Sequence, residues 1–154
     1  MPSNTVTIQP ATINDLEALY MIERECFTSE AFTKTEIAYL LEAPNSISLI
    51  ARVNDEITGF TIGLIHDYYK IRAGHVYTID VTIKYRRRGV GLRLLNELER
   101  VFIKRGVKIC YLEARLNNVA ALELYRKHGF VEAGTLRNHY SLGTHGVQLV
   151  KRLS

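Results

Sequence analysis

Arg86, Arg87, Arg88, Gly89, Val90 and Gly91 place three guanidinium groups and two glycines within six consecutive positions. Residues of these types in such a run suit the binding of an anion. Glycine lets the main chain come close to a phosphate, and arginine supplies charge-assisted donors. The arrangement works best where the run opens a helix, because the first helical turn carries N–H groups without intrahelical partners and the positive end of the helix dipole. The flanking sequence provides that setting. Before the run, Tyr77, Ile79, Val81 and Ile83 alternate with Thr78, Asp80 and Thr82, the period of two expected of a strand that buries one face. After it, Leu94, Leu95, Leu98, Val101 and Phe102 recur at helical spacing.

Two common phosphate motifs do not fit this junction. A P-loop needs Gly-x-x-x-x-Gly-Lys-Ser/Thr, and the dinucleotide fingerprint needs Gly-x-Gly-x-x-Gly, whereas only Gly89 and Gly91 are present. Composition narrows the remaining choices. The chain has 154 residues, 47% hydrophobic and 23% charged, the size and balance of a single domain spanning residues 1–154. No run approaches the ~20 apolar residues needed to cross a bilayer, and the N-terminus has no basic segment leading into an apolar stretch, so a cytoplasmic protein is expected. Cys26 and Cys110 lack Cys-x-x-Cys or Cys/His spacing, so buried thiols are expected rather than a disulfide framework or a metal site. The net charge of +4 is compatible with nucleic acid, but the densest basic cluster is the phosphate-type loop itself.

The elements that must position this loop are legible in order. Val6 and Ile8 alternate with polar neighbours as a short strand. Thr12 with Asp15, and Thr33 with Glu36, have the spacing of capping boxes opening two helices, the first ending near Phe27 and the second stopping before Pro44. Residues 46–53 and 57–65 read as strands joined by Asn54 and Asp55, with Gly59 and Gly63 marking a bend or the close approach of another chain segment. Residues 66–74, with Tyr68, Tyr69, Lys70 and Arg72, read as a loop, and His75 begins the strand into the basic run. The helix after it extends to about Lys104, with Gly106 as its stop. A strand over 109–114, a helix capped by Asn117 or Asn118 and ended by Gly129, and strands over 130–138 and 147–153 complete the chain. The order is β-α-α-β-β-β-α-β-α-β-β, an α/β arrangement with a mixed sheet.

Arg86, Gly89 and Gly91 occupy the three defining positions of Arg/Gln-x-x-Gly-x-Gly/Ala, and in this the chain resembles the GNAT superfamily of acyl-CoA-dependent N-acetyltransferases. Residues 112–130 resemble its other signature, Leu-Glu-Val-Arg-x-x-Asn-x-x-Ala-x-x-Leu-Tyr-x-x-x-Gly-Phe, through Leu112, Glu113, Arg115, Asn118, Ala121, Leu124, Tyr125, Gly129 and Phe130. The nearest branch acetylates protein N-terminal amines, ribosomal-protein alanine acetyltransferases among them. The resemblance implies a mostly antiparallel mixed sheet with splayed central strands and about four helices. It also implies acetyl-CoA as co-substrate and no metal.

Acetyl transfer from a thioester to an amine needs a neutral amine, a donor for the developing oxyanion and a proton for the departing thiolate. The resemblance supplies a candidate for each. Tyr125 matches the family's general acid beside the coenzyme sulfur, and Glu113 the carboxylate that takes the amine proton. His75 is a second candidate base, since neutral imidazole suits proton abstraction near neutral pH. The main-chain N–H near Val81 is the oxyanion donor, with the pantetheine arm pairing along Ile79 and Val81. Main-chain amides from Arg86 through Arg87, Arg88, Gly89 and Val90 to Gly91 cradle the pyrophosphate, and Asn118 hydrogen-bonds the coenzyme. Arg126 and Lys127 are within reach of the adenosine phosphates. Glu30 and Tyr140 are expected to meet the acceptor.

Residues 138–146 depart from the N-terminal branch, keeping only Tyr140 of its aromatic pair and no following acid. A small amine is therefore the alternative acceptor. A non-catalytic acyl-CoA-binding module is a rival from another class, and an RNA-binding domain ranks behind both because no stacking aromatics interleave the arginines.

Overall fold

The computed structural model describes residues 5–27, 30–141 and 144–153. Its elements follow the expected order: β1 (Val6–Pro10), α1 (Leu16–Cys26), α2 (Lys34–Glu42), β2 (Ser46–Val53), β3 (Glu56–Tyr68), β4 (Ile71–Val81), α3 (Val90–Lys104), β5 (Ile109–Arg115), α4 (Val119–Lys127), β6 (Val131–Ser141) and β7 (Thr144–Arg152). The strands form one sheet in the order β1-β2-β3-β4-β5-β7-β6, antiparallel throughout except for the parallel β4–β5 pair. It is a mixed-sheet α/β architecture with four α-helices among the described residues, as the resemblance implied.

The sheet separates two apolar layers. On one face α3 buries Leu94, Leu95, Leu98 and Phe102 against residues of β2, β4, β5 and β7. On the other, Leu19 and Ile22 of α1 and Ile37 and Leu40 of α2 cover Ile50, Phe60 and Ile62. Both N-terminal helices open through the expected boxes. The Thr12 and Asp15 box caps a 3-10 turn at Ile13–Asp15 that runs into α1, and the Thr33 and Glu36 box caps α2 directly. Asn54 and Asp55 both adopt positive φ, 51° and 67°, the geometry of a tight hairpin turn.

Two expectations need correction. Residues 66–74 do not form a loop: Asp67 pairs with Arg72 and Tyr68 with Ile71, so β3 and β4 continue to a two-residue turn at Tyr69 and Lys70. Cross-strand pairing, reinforced by the Arg72 to Asp67 ion pair, outweighs the polar composition that suggested a loop. The alternation in β4 is real, but its polar side is the deeply buried one. Thr78 and Asp80 are 7% and 1% exposed, whereas Tyr77 is 39% exposed and Ile79 and Val81 are half-buried. Of the cysteines, Cys110 is buried and Cys26 is only half-buried.

Gly63 of β3 marks the close approach that its position suggested, and Gly74, read from the sequence as the end of a loop, proves to be a second such position on β4. A Cβ on Gly63 would lie 2.6 Å from Phe102 Cζ, and one on Gly74 would lie 2.6 Å from Phe102 Cε2. Phe102 thus lies flat over bare backbone.

Both Gly63→Ala and Gly74→Ala should destabilise the fold by about 1–3 kcal/mol, the usual cost of overpacking. Thermal unfolding should show each midpoint several degrees lower, with partial recovery when Phe102→Leu makes room. Unchanged midpoints would contradict the packing described.

Candidate active site

β4 and β5 pair at only three positions, Ala73 with Ile109, Gly74 with Cys110 and His75 with Tyr111. Beyond His75 the strands diverge. On its other side β4 carries an extra residue, Tyr77, between the pairs Gly63–Val76 and Ile62–Thr78. Such a bulge bends and twists its strand. The opening between β4 and β5 leads to a cleft of about 250 Å³, walled by the end of α1, the turn after it, both strands and α4.

β5 alternates strictly, burying Cys110, Leu112 and Ala114 and turning Tyr111, Glu113 and Arg115 to the half-buried side. Each of these three meets a partner. The Tyr111 ring stacks on His75 with centroids 4.4 Å apart, and its hydroxyl lies 2.7 Å from His66 Nε2. Burial and the nearby Glu113 push the Tyr111 phenol above its ordinary pKa. Glu113 Oε1 lies 2.6 Å from His75 Nε2, a short charge-assisted contact. Arg115 pairs with Glu30, so the carboxylate beside the histidine is not tied up by its neighbour on the strand. The other oxygen of Glu30, Oε2, is buried and accepts no hydrogen bond among the described residues.

Tyr125 reaches the same cleft from α4. Asn118 Oδ1 caps that helix by accepting from Ala121 N–H, and the Tyr125 ring packs edge-on against Phe130 at 5.9 Å. His75, Glu113, Tyr125, Glu30 and Ile79 therefore line one cavity. Tyr140 belongs to β6, but its side chain lies outside the described residues.

Sequence reasoning missed Glu23 of α1 and the ring of Phe32, both of which line the cleft. A glutamate at helical spacing among Leu16, Leu19 and Cys26 was the available signal for the first. Arg126, read as a phosphate contact, pairs with Glu132.

At the far end of β4 the basic run turns into α3. Gly89 caps the helix with φ 79° and supplies no side-chain cap, and the first intrahelical bond is Arg93 N–H to Gly89 C=O. The N–H groups of Val90, Gly91 and Leu92 thus remain available to an anion. Gly91 faces Val81, where an added Cβ would sit 3.6 Å from Val81 Cγ2. Arg86 folds back, donating from Nε to Val81 C=O at 3.0 Å and from a terminal nitrogen to Cys26 Sγ at 3.4 Å, while Arg88 lies over the Tyr85 ring. The loop thus offers helix-terminal amides within a positive field, which fits a pyrophosphate.

Neither thiol is prepared for nucleophilic work. Burial, with Asp80 nearby, pushes Cys26 up to about 11, and burial with Glu99 nearby pushes Cys110 up to about 12. Among the described residues no three His, Cys, Asp or Glu side chains gather as a metal site requires.

Comparison with known proteins agrees with this architecture. Residues 16–130 match the model of the Acetyltransferase (GNAT) family. The chain is similar to the [Ribosomal protein bS18]-alanine N-acetyltransferase of Escherichia coli K12, 31% identical over 135 residues that cover 87% of this chain and 86% of that protein. It is similar also to an N-alpha-acetyltransferase of Sulfolobus acidocaldarius, 28% identical over 145 residues covering 88% and 86%. Two solved structures superpose with a TM-score of 0.85 at 26% identity. They are the Escherichia coli ribosomal-protein-S18-alanine N-acetyltransferase, with 97% of this chain and 95% of that one covered, and Ard1 of Thermoplasma volcanium, with 97% and 98% covered. With three quarters of its length inside the family match and the strand-turn-helix and β4–β5 opening in place, the chain belongs to the GNAT acetyltransferase family and is an acetyl-CoA-dependent N-acetyltransferase.

Proposed function

We propose that this enzyme acetylates the α-amine of a protein or peptide N-terminus by direct attack on acetyl-CoA in a ternary complex. The observation that carries the reading is the 2.6 Å contact of His75 Nε2 with Glu113 Oε1, placed where β4 and β5 part, in the cleft that Tyr125 and Glu30 also enter. Relatives named for N-terminal acetylation support the choice of acceptor.

In this reading the amides between Arg86 and Gly91 and the side chain of Asn118 hold the coenzyme, and the freed edge of β4 at Ile79 and Val81 pairs with its pantetheine arm. That brings the thioester to the head of the cleft. The unpartnered Oε2 of Glu30 accepts a hydrogen bond from the incoming ammonium. The His75 and Glu113 pair takes one proton from it, leaving a lone pair to attack the carbonyl carbon. Val81 N–H stabilises the charge that develops on the carbonyl oxygen. Attack leaves the nitrogen cationic; as the C–S bond breaks it releases its second proton to water, Tyr125 gives its proton to the sulfur, and solvent restores the tyrosine. With both thiols held protonated, an acetyl-cysteine intermediate has no nucleophile.

Turnover of acetyl-CoA across peptides beginning with Ser, Ala, Met or Gly, set beside polyamines and free amino acids, tests the acceptor. Transfer to one peptide class is expected, and transfer only to small amines would overturn the assignment. Tyr125→Phe should lower kcat by about 100-fold or more while leaving KM for acetyl-CoA nearly unchanged. Glu113→Gln should lower kcat/KM for the acceptor by a similar factor. Full activity in both variants would exclude these residues from proton transfer.

A further inference from the structure

Beneath the cleft, Glu23 of α1 and Thr78 and Asp80 of β4 are 2%, 7% and 1% exposed. As alternate residues of one strand, Thr78 and Asp80 face the same side, against α1. The Thr78 hydroxyl lies 3.3 Å from Glu23 Oε1 and makes a close hydrogen bond with Asp80 Oδ1. A hydroxyl has one hydrogen, and ionised carboxylates only accept. If both acids were ionised, two buried negative charges would compete for the one hydrogen of the Thr78 hydroxyl. Among the described residues neither carboxyl group forms an ion pair: Arg86, which faces Asp80, donates instead to Val81 C=O and Cys26 Sγ. The second oxygen of Asp80 is buried and accepts no hydrogen bond among the described residues.

One additional proton satisfies this network. With Asp80 protonated, its O–H donates to Thr78 Oγ1 and the Thr78 O–H donates to Glu23 Oε1. Glu23 Oε2 already accepts the Phe32 N–H at 3.1 Å. The chain of bonds therefore runs from β4 through α1 to the turn that carries Glu30, two residues before Phe32. The Phe32 ring in turn stacks on Tyr77 at 6.1 Å. Burial and the adjacent Glu23 act in the same direction, keeping the proton on Asp80 well above the usual carboxylate range.

We propose that Asp80 is a positioning residue that carries the additional proton of this network. Through Thr78, Glu23 and the Phe32 amide it fixes the Glu30-bearing turn in the cleft. Loss of that proton therefore weakens amine capture and leaves coenzyme binding intact. The inference rests on the reading of this cleft as the amine site. The groups facing Asp80 are Glu23 and Cys26 from α1, Thr78 from β4 and Arg86 from the loop before α3, while β3 places the uncharged Phe60 opposite it. The sign of the pH effect follows. The folded state holds a proton that the unfolded chain releases, so stability falls as pH rises from the ordinary carboxylate range to the raised value.

The test compares the wild type with Asp80→Asn, which is neutral at every pH and keeps an N–H donor, and with Asp80→Ala, which removes the donor. Over about pH 5 to about pH 10, wild-type KM for the best acceptor of the panel should rise at the alkaline end relative to Asp80→Asn. Asp80→Ala should raise acceptor KM by about three- to tenfold throughout, with KM for acetyl-CoA changed less than about twofold. Two readouts need no acceptor. At neutral pH the wild type should show a protonated-carboxyl C=O stretch in the infrared that Asp80→Asn lacks, and its thermal midpoint should fall with rising pH more steeply than that of Asp80→Asn. Absence of the infrared band would overturn the protonated state. Equal KM changes for acceptor and coenzyme, or the same alkaline rise in Asp80→Asn, would overturn the positioning role. Failure of peptides as acceptors would count against the N-terminal reading alone, since the infrared and thermal results stand apart from it.

Discussion

The parallel pairing of β4 with β5 extends over three residue pairs and then stops, although β4 continues to Val81 and β5 to Arg115. A strand edge left unpaired inside a sheet leaves N–H and C=O groups that need partners. Here the edge lies between two helices, α3 with its basic N-terminus and α4 with Tyr125, and it opens toward the turn after α1. Ligand amides can complete the ladder on one side of the gap while side chains of β5 act from the other. The bulge at Tyr77 and the glycines under Phe102 both serve this geometry, one by bending β4 and the other by letting α3 lie close beneath it.

Charge is divided along the same line. The N-terminus of α3 gathers Arg86, Arg87 and Arg88, whereas the cleft is walled by Glu23, Glu30 and Glu113. In the proposed reading a polyanion and an ammonium therefore meet opposite potentials at the two ends of one opening. The acids are not equivalent. Glu113 is paired with His75, Glu30 with Arg115, and Glu23 belongs to the buried network with Thr78 and Asp80. Three carboxyl groups lining one cleft thus sit in three different hydrogen-bonding situations, and the proposed mechanism gives them three different roles, proton acceptor, ammonium ligand and structural anchor.

Much of this was legible in the chain. Helical spacing in α3, the two capping boxes and the Asn54 and Asp55 turn are local signals, and local physics determined the outcome at each. The basic turn at the head of α3 was legible because glycine and arginine types report main-chain conformation and charge directly. Contacts between distant segments were not. Nothing in the order of residues says that Arg115 pairs with Glu30 rather than Glu113, which depends on how the segment after α1 meets β5, or that His75 faces Glu113, which the register of β4 against β5 decides. Periodicity in β4 revealed two faces but not which one α1 would cover, and the polar face was the one covered, made tolerable by the Glu23, Thr78 and Asp80 hydrogen bonds. The hairpin at Tyr69 was hidden for a related reason, since cross-strand pairing overrode a composition typical of loops.

The central claim is that the β4–β5 opening brings amine and thioester together for a single direct transfer. Initial rates measured while acetyl-CoA and the acceptor are varied in turn test it most directly. Lines that intersect in the double-reciprocal plot, with no acetyl group retained on the protein in the absence of acceptor, are the predicted result. Parallel lines together with an isolable acetyl-enzyme would contradict the account, because they require a nucleophile that this site does not provide.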